Sequence, residues 1–340
     1  MGRGGVSVFI ILSGFLMYLA YGQSDRIQGS GISYSFKFGV EKVRRLYPLH
    51  IVTMFLAIPT LFLGQYDHSG IWKVVSPFAK IFSNVLLIQS WEPKKEYYFS
   101  LNAVSWYLSL SLFLYMMFPV ILKFMKRYDG LKSAIISTAC VFSVQILLSY
   151  ISFHIQAYIR NEDFFHWFTY VFPISRLEDF FIGCNLGYIF SHRDVNSLNR
   201  CRHTPWETGI FIVIIFQWAF YWFQNKKIEN VNYESIHLWW GGTVFWTISS
   251  CALVYIFALN RGVISSFLSN KILVSIGNMS ANAFLIHLLV YKYIREIEMI
   301  IWGVEMKYLN FFVCFFISII CAYIWELIDK NIKFAKSRAV

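Results

Sequence analysis

The chain has 340 residues, 57% hydrophobic and only 14% charged, with a mean hydropathy of +0.52. A soluble domain carries about 25% charged residues, so this composition excludes an ordinary water-soluble enzyme and points to a single integral membrane domain over 1–340. The net charge of +11 does not indicate a nucleic-acid partner, because the Lys and Arg residues are sorted by connection rather than gathered in one patch.

Nine apolar stretches lie near 5–21, 46–64, 103–123, 133–154, 168–190, 208–224, 239–259, 272–291 and 309–328. Each approaches the ~20 helical residues that cross a hydrocarbon core. The expected fold is therefore an all-α, polytopic integral membrane helix bundle of about nine transmembrane helices. Residues 1–21 lack a basic n-region beyond Arg3 and an A-x-A-like site, so they do not read as a cleaved signal peptide. The connection 22–45 is polar and turns basic at its end, and Pro48 opens the next helix, where a proline is tolerated. Within 65–102, the apolar run 78–90 is too short to span and reads as interfacial or re-entrant.

Alternate connections differ in charge. The set comprising 22–45, 123–132, 191–207, 260–271 and the residues after 329 holds 18 Lys and Arg; the opposite set holds 10, offset by 10 Asp and Glu. Positive-inside asymmetry puts the C-terminus in the cytoplasm and, with nine helices, the N-terminus outside. The expected location is the cell (inner or plasma) membrane. The six cysteines, Cys140, Cys184, Cys201, Cys251, Cys314 and Cys321, form no CxxC pair and read as small apolar residues. His68, His154, His166, His192, His203 and His237 show no HxxxH or HExxH spacing, so no metal site is expected.

Ionisable residues within apolar stretches are costly and mark candidate sites. Arg176 sits about two turns inside the 168–190 stretch, with Asp179 at i+3 on the same face. The pair reads either as a functional charge or as an ion pair joining two helices. His287, with Ser280 at i−7, reads as a base or as a satisfied buried histidine. Asn102, Ser105 and Ser109, beside Trp106, read as helix-packing groups or as a hydroxyl-lined cavity. Lys42, Arg44, Arg45 and His50 cluster at the start of the 46–64 stretch. That cluster serves topology and lipid contact, or else binds a polyanionic ligand. Glu326 and Lys330 read as a solvated i,i+4 pair.

Five segments, in order, resemble the membrane-bound acyltransferase-3 family, many of whose members O-acetylate surface polysaccharides. Gly5-Val6-Ser7-Val8-Phe9-Ile10-Ile11-Leu12-Ser13-Gly14-Phe15 is similar to the family's G-V-x-x-F-F-x-L-S-G-F helix. Lys42-Val43-Arg44-Arg45-Leu46-Tyr47-Pro48 is similar to R-x-x-R-h-h-P, with Lys42 at the first arginine. Trp106-Tyr107-Leu108-Ser109 with Tyr115 and Pro119 is similar to W-[ST]-L-S-x-E-x-x-x-Y-x-x-x-P, with Ser111 where the family has glutamate. Pro173 to Phe180, with Gly183 and Gly187, resembles an Arg-centred helix continuing F-x-x-G. Gly277 to His287 resembles G-x-x-S-Y-x-x-Y-L-x-H, with Phe284 for the tyrosine.

The resemblance implies ten helices and a histidine on the first. This sequence begins at the loop after that helix, so the expectation is a chain that lacks it. It also implies a membrane O-acetyltransferase: acetyl-CoA is the cytoplasmic donor substrate, its phosphates on Lys42, Arg44 and Arg45, and no cofactor is resident. Arg176 and His287 are the implied catalytic residues, while Ser13, Trp106, Ser109, Tyr115, Asp179 and Ser280 support or line the cavity. The implied partners are a surface polysaccharide or lipid-linked glycan and membrane lipids. The alternatives are a transporter or flippase for a lipid-linked sugar, a structural partner in glycan assembly, or an inactive truncated homologue. The internal repeats and paired broken helices of many transporters are not visible here.

Overall fold

The structure, a computed structural model, describes residues 2–24, 27, 29, 31–63, 72–159, 162–193, 203–228 and 243–338. His68, Cys201 and His237 lie outside the described residues, as do parts of five of the expected connections. The helices in chain order are α1 (Gly2–Tyr21), α2 (Ile32–Val43), α3 (Tyr47–Leu63), α4 (Trp72–Val85), α5 (Lys95–Tyr98), α6 (Trp106–Met125), α7 (Gly130–Ile159) and α8 (Glu162–His166). They continue with α9 (Leu177–Ser191), α10 (Thr204–Ile228), α11 (Thr243–Leu259), α12 (Val263–Leu268), α13 (Lys271–Trp302) and α14 (Lys307–Arg338). Among the described residues there is no strand, and the chain is an all-α membrane helix bundle. Six helices are long and apolar enough to cross a membrane, and Tyr47–Pro59 and Val244–Leu259 are shorter apolar helices.

The fifth expected span departs from its prediction. The 168–190 stretch is not one helix. It begins as a π-helical segment, Trp167–Val171, becomes extended at Phe172 (φ −62°, ψ 126°), makes a 3₁₀ turn over Ile174–Arg176, and only then enters α9. Pro173 explains the break, because its ring forces the preceding residue out of the α region. Ser175 Oγ donates to the carbonyls of Phe168 and Phe172, holding the freed backbone groups across the interruption. Arg176 therefore stands at the N-terminus of α9 rather than two turns inside a continuous helix.

The described residues sort into two compact units, 1–40 with 110–268 and 41–109 with 269–340; α2 and α6 contribute to both. In the first unit α1 packs most extensively against α9. The approach is close enough that a Cβ on Gly14 would strike the Phe180 carbonyl, and one on Gly183 would strike the Ile11 carbonyl. Lipid supplies little hydrophobic drive between helices, so small residues that let backbones touch determine which helices pair. Ile11, Phe15 and Val254 are buried together beside this contact, with Leu12, Leu186 and Phe190 packed around them.

In the second unit α13 and α14 form a helical hairpin. Asn270 caps α13 by accepting from the Ile272 amide at 3.0 Å. Gly303 ends the helix in the left-handed region (φ 67°), which glycine enters without a Cβ penalty. The resulting α13 runs past the expected boundary at 291 to Trp302. Its buried face, Met279, Leu285 and Ile286, meets Leu49 of α3 and Ala322 of α14.

Candidate functional site

In the first unit the chemistry centres on Arg176, whose side chain is 0% exposed, as is that of Asp179. Arg176 Nη2 lies 3.0 Å from Asp179 Oδ2 and donates to Ser7 Oγ on α1 at 3.0 Å. The guanidinium also sits 5.9 Å from the centre of the Tyr170 ring, within cation–π range. Asp179 Oδ1 accepts from Gln145 Nε2 on α7 at 2.8 Å and from Thr247 Oγ1 on α11 at 3.2 Å. The Thr247 hydroxyl is also 3.0 Å from Gln145 Oε1. Four helices thus meet on one ion pair.

This placement has an electrostatic logic. A helix N-terminus carries partial positive charge, so a cation at the start of α9 is poorly placed by itself. Asp179 in the first turn of α9 offsets both the helix end and the guanidinium. Two donors of Arg176, Nε and Nη1, are buried without a hydrogen-bond partner. A guanidinium offers its donors in a fixed fork, and buried donors are almost always satisfied. Among the described residues, none supplies an acceptor to these two donors. Elsewhere in the first unit, Ser13 and Tyr115, from the first and third motif segments, are hydrogen-bonded hydroxyl to hydroxyl at 3.0 Å.

In the second unit His287 lines a cavity of about 430 Å³ between α13 and α14. Its Nδ1 lies 2.7 Å from the Phe284 carbonyl. A carbonyl can only accept, so Nδ1 carries the proton, and in the neutral ring Nε2 is an acceptor with a free lone pair. The His287 carbonyl in turn accepts from Cys314 Sγ at 3.1 Å. Ser280 is exposed and does not line that cavity.

Asn102, Ser105 and Ser109 are buried in a polar network of the second unit. Asn102 Nδ2 donates to Thr53 Oγ1 at 3.1 Å and to the Leu285 carbonyl at 2.7 Å, two residues before His287. Ser105 Oγ donates to Asn84 Oδ1 at 3.0 Å, and Ser109 Oγ lies 2.6 Å from Ser90 Oγ. Trp106 is buried beside them. The basic cluster of the sequence divides. Arg44 and Arg45 are exposed in the turn between α2 and α3, and Lys42 is half-buried at the end of α2. His50 is separate from them: α3 turns it inward, fully buried, with Nε2 3.0 Å from the Asn84 carbonyl. Glu326 and Lys330 pair at 3.0 Å.

Sequence reasoning missed Ser7, Gln145 and Thr247, the partners of the Arg176–Asp179 pair. Each is one of several polar residues on a different apolar stretch, and no spacing connects the three. Gln145, an amide within the 133–154 stretch, carried the one available signal.

A family model described as "Acyltransferase domain" matches residues 1–326. The acyltransferase MdmB of Streptomyces mycarofaciens is 30% identical over 123 residues, which is 35% of this chain and 28% of that protein. The alignment thus spans little more than a quarter of that relative's length. No solved structure matches the chain.

Proposed function

This chain belongs to the acyltransferase family matched over residues 1–326, and we propose that it is a membrane acyltransferase. In this reading it transfers an acyl group, acetyl in the first instance, from coenzyme A to a hydroxyl of a cell-surface polysaccharide or lipid-linked glycan. The observation that carries the reading is Arg176: a fully buried cation with two unpartnered donors, held by Asp179 and Ser7. When a hydroxyl attacks a thioester, negative charge gathers on the carbonyl oxygen. Preorganised donors in a dry site stabilise that charge more than they stabilise the neutral substrate.

Within the second unit, taken by itself, His287 Nε2 has the chemistry to take the proton of a hydroxyl as a new C–O bond forms. The C–S bond then breaks, the thiolate of coenzyme A departs, and the proton passes to it, leaving an ester and free coenzyme A. Arg44 and Arg45, exposed in the turn, and Lys42, half-buried at the end of α2, offer the charge that the donor's phosphates need. We place the protein in the cell membrane with this turn and the C-terminus on the cytoplasmic side, from the charge asymmetry of its connections.

The test is to delete the gene in its host, restore this 340-residue chain, and record proton NMR of the purified surface glycan. Base-labile O-acetyl methyl signals lost on deletion and regained on restoration support the proposal. Signals unchanged by deletion overturn the glycan acceptor, and membranes that release no free coenzyme A from acetyl-CoA overturn acyl transfer itself.

A further inference from the structure

The cavity beside His287 is too large and too apolar for an acetyl group alone. Its volume of about 430 Å³ falls within the ~300–1,000 Å³ of small-molecule sites. At the ~30 Å³ that a water-sized group occupies in a liquid, it holds roughly fourteen such groups, against the three heavy atoms of acetyl. Phe284, Phe311 and Phe315 dominate its wall, and no Asp, Glu, Lys or Arg lines it. The polar groups of the lining include His287, Cys314 and Ser318. Cys314 Sγ is engaged by the His287 carbonyl, while Nε2 of His287 is left free. Both lining helices, α13 and α14, are long and apolar enough to cross a membrane, and Phe311 and Phe315 are themselves largely exposed.

We propose that this cavity binds a linear hydrocarbon chain, aligned along the three phenylalanines with an ester, thioester or hydroxyl end at His287 Nε2. Two sources carry that chemistry: the acyl chain of a longer thioester donor, or the chain of a membrane lipid bearing the acceptor. Chain binding stands on the cavity; its connection to transfer rests on the reading of His287 given above.

The experiment uses the full chain in phospholipid nanodiscs and a twelve-carbon fatty acid bearing a diazirine near its tail. After illumination, labelled peptides are mapped by mass spectrometry. The expected result is labelling within 283–319 that exceeds labelling of the lipid-facing surface of α10. In Ala283→Trp, which fills the cavity, exclusion of two or more methylenes lowers that labelling at least about tenfold. Phe315→Ala, a half-exposed position, keeps the test open if the tryptophan variant does not fold: the favoured probe lengthens by about two to four carbons as the freed volume is filled. Competition by dodecanoyl-CoA identifies the donor as the source, and competition by a polyprenyl phosphate identifies a lipid. Labelling that neither compound reduces, or that neither substitution alters, overturns the proposal. Labelling is read on the protein without turnover, so a chain that binds the probe but transfers no acyl group would sink the proposed function and leave this site standing.

Discussion

The Arg176–Asp179 pair separates an architectural charge from a working one. At 3.0 Å and an effective dielectric constant near 20, two unit charges attract by roughly 5–6 kcal/mol. Desolvation of both ions offsets most of this. Removing one partner is a different perturbation. Asp179→Asn leaves Arg176 uncompensated at the positive end of α9 and loses about 3–5 kcal/mol of stability. Arg176→Met combined with Asp179→Leu removes both charges, fills similar volume, and recovers most of that loss. Activity follows another order. A donor aimed at the oxyanion contributes about 10²–10³ in rate, so the double variant, though folded, transfers acyl groups at least a hundredfold more slowly. The assay pairs thermal melting of the detergent-purified protein with release of free coenzyme A from acetyl-CoA. A folded double variant of normal activity would refute the catalytic role and leave only the structural one. An Asp179→Asn protein as stable as the parent would refute the electrostatic account altogether.

His287→Gln keeps the size of the side chain and removes the base, so kcat falls by about 10²–10⁴ with little change in KM for acetyl-CoA; stopped assays over a range of acetyl-CoA concentrations check this. Lys42→Ala with Arg45→Ala raises KM for acetyl-CoA by about tenfold or more while membrane insertion is unchanged, since each charge-assisted hydrogen bond to phosphate contributes roughly 1.5–3 kcal/mol at most and these groups are solvated. The effect should shrink as salt is raised. Gly183→Leu forces α1 away from α9 and destabilises the protein by about 1–3 kcal/mol or more, whereas the same change at Gly209, where a Cβ meets open space, is near neutral. Comparative melting of the two variants tests that contrast.

Much of this protein is written in one-dimensional patterns. Apolar stretch length reports membrane helices because the bilayer core has a fixed thickness, and α1, α3, α6, α7, α10, α11, α13 and α14 overlap the stretches that predict them, whereas 168–190 is broken ahead of α9. Arg176 is visible for the same reason, since a cation in such a stretch has no water to solvate it. Its i+3 relation to Asp179 follows from helical periodicity and places both on the first turn of α9.

Other features depend on which helices meet. Pro173 marks a possible break, but the extended Phe172 and the 3₁₀ turn that deliver Arg176 to the end of α9 are conformations of a folded backbone. Ser7, Gln145 and Thr247 become partners only when α1, α7 and α11 converge on α9. His50 is adjacent to the basic cluster in sequence and buried apart from it in space, because one helical turn points neighbouring residues in different directions. The cavity at His287 is likewise invisible in either helix alone: it is the space left where bulky phenylalanines of α13 and α14 pack around small Ala283 and Ser318. The chain's solvent, most of its long helices and the Arg176–Asp179 pair were determined locally, by hydrophobic length and periodicity. What surrounds that pair, and what the cavity can hold, was decided only by packing, which joins residues that no spacing rule connects.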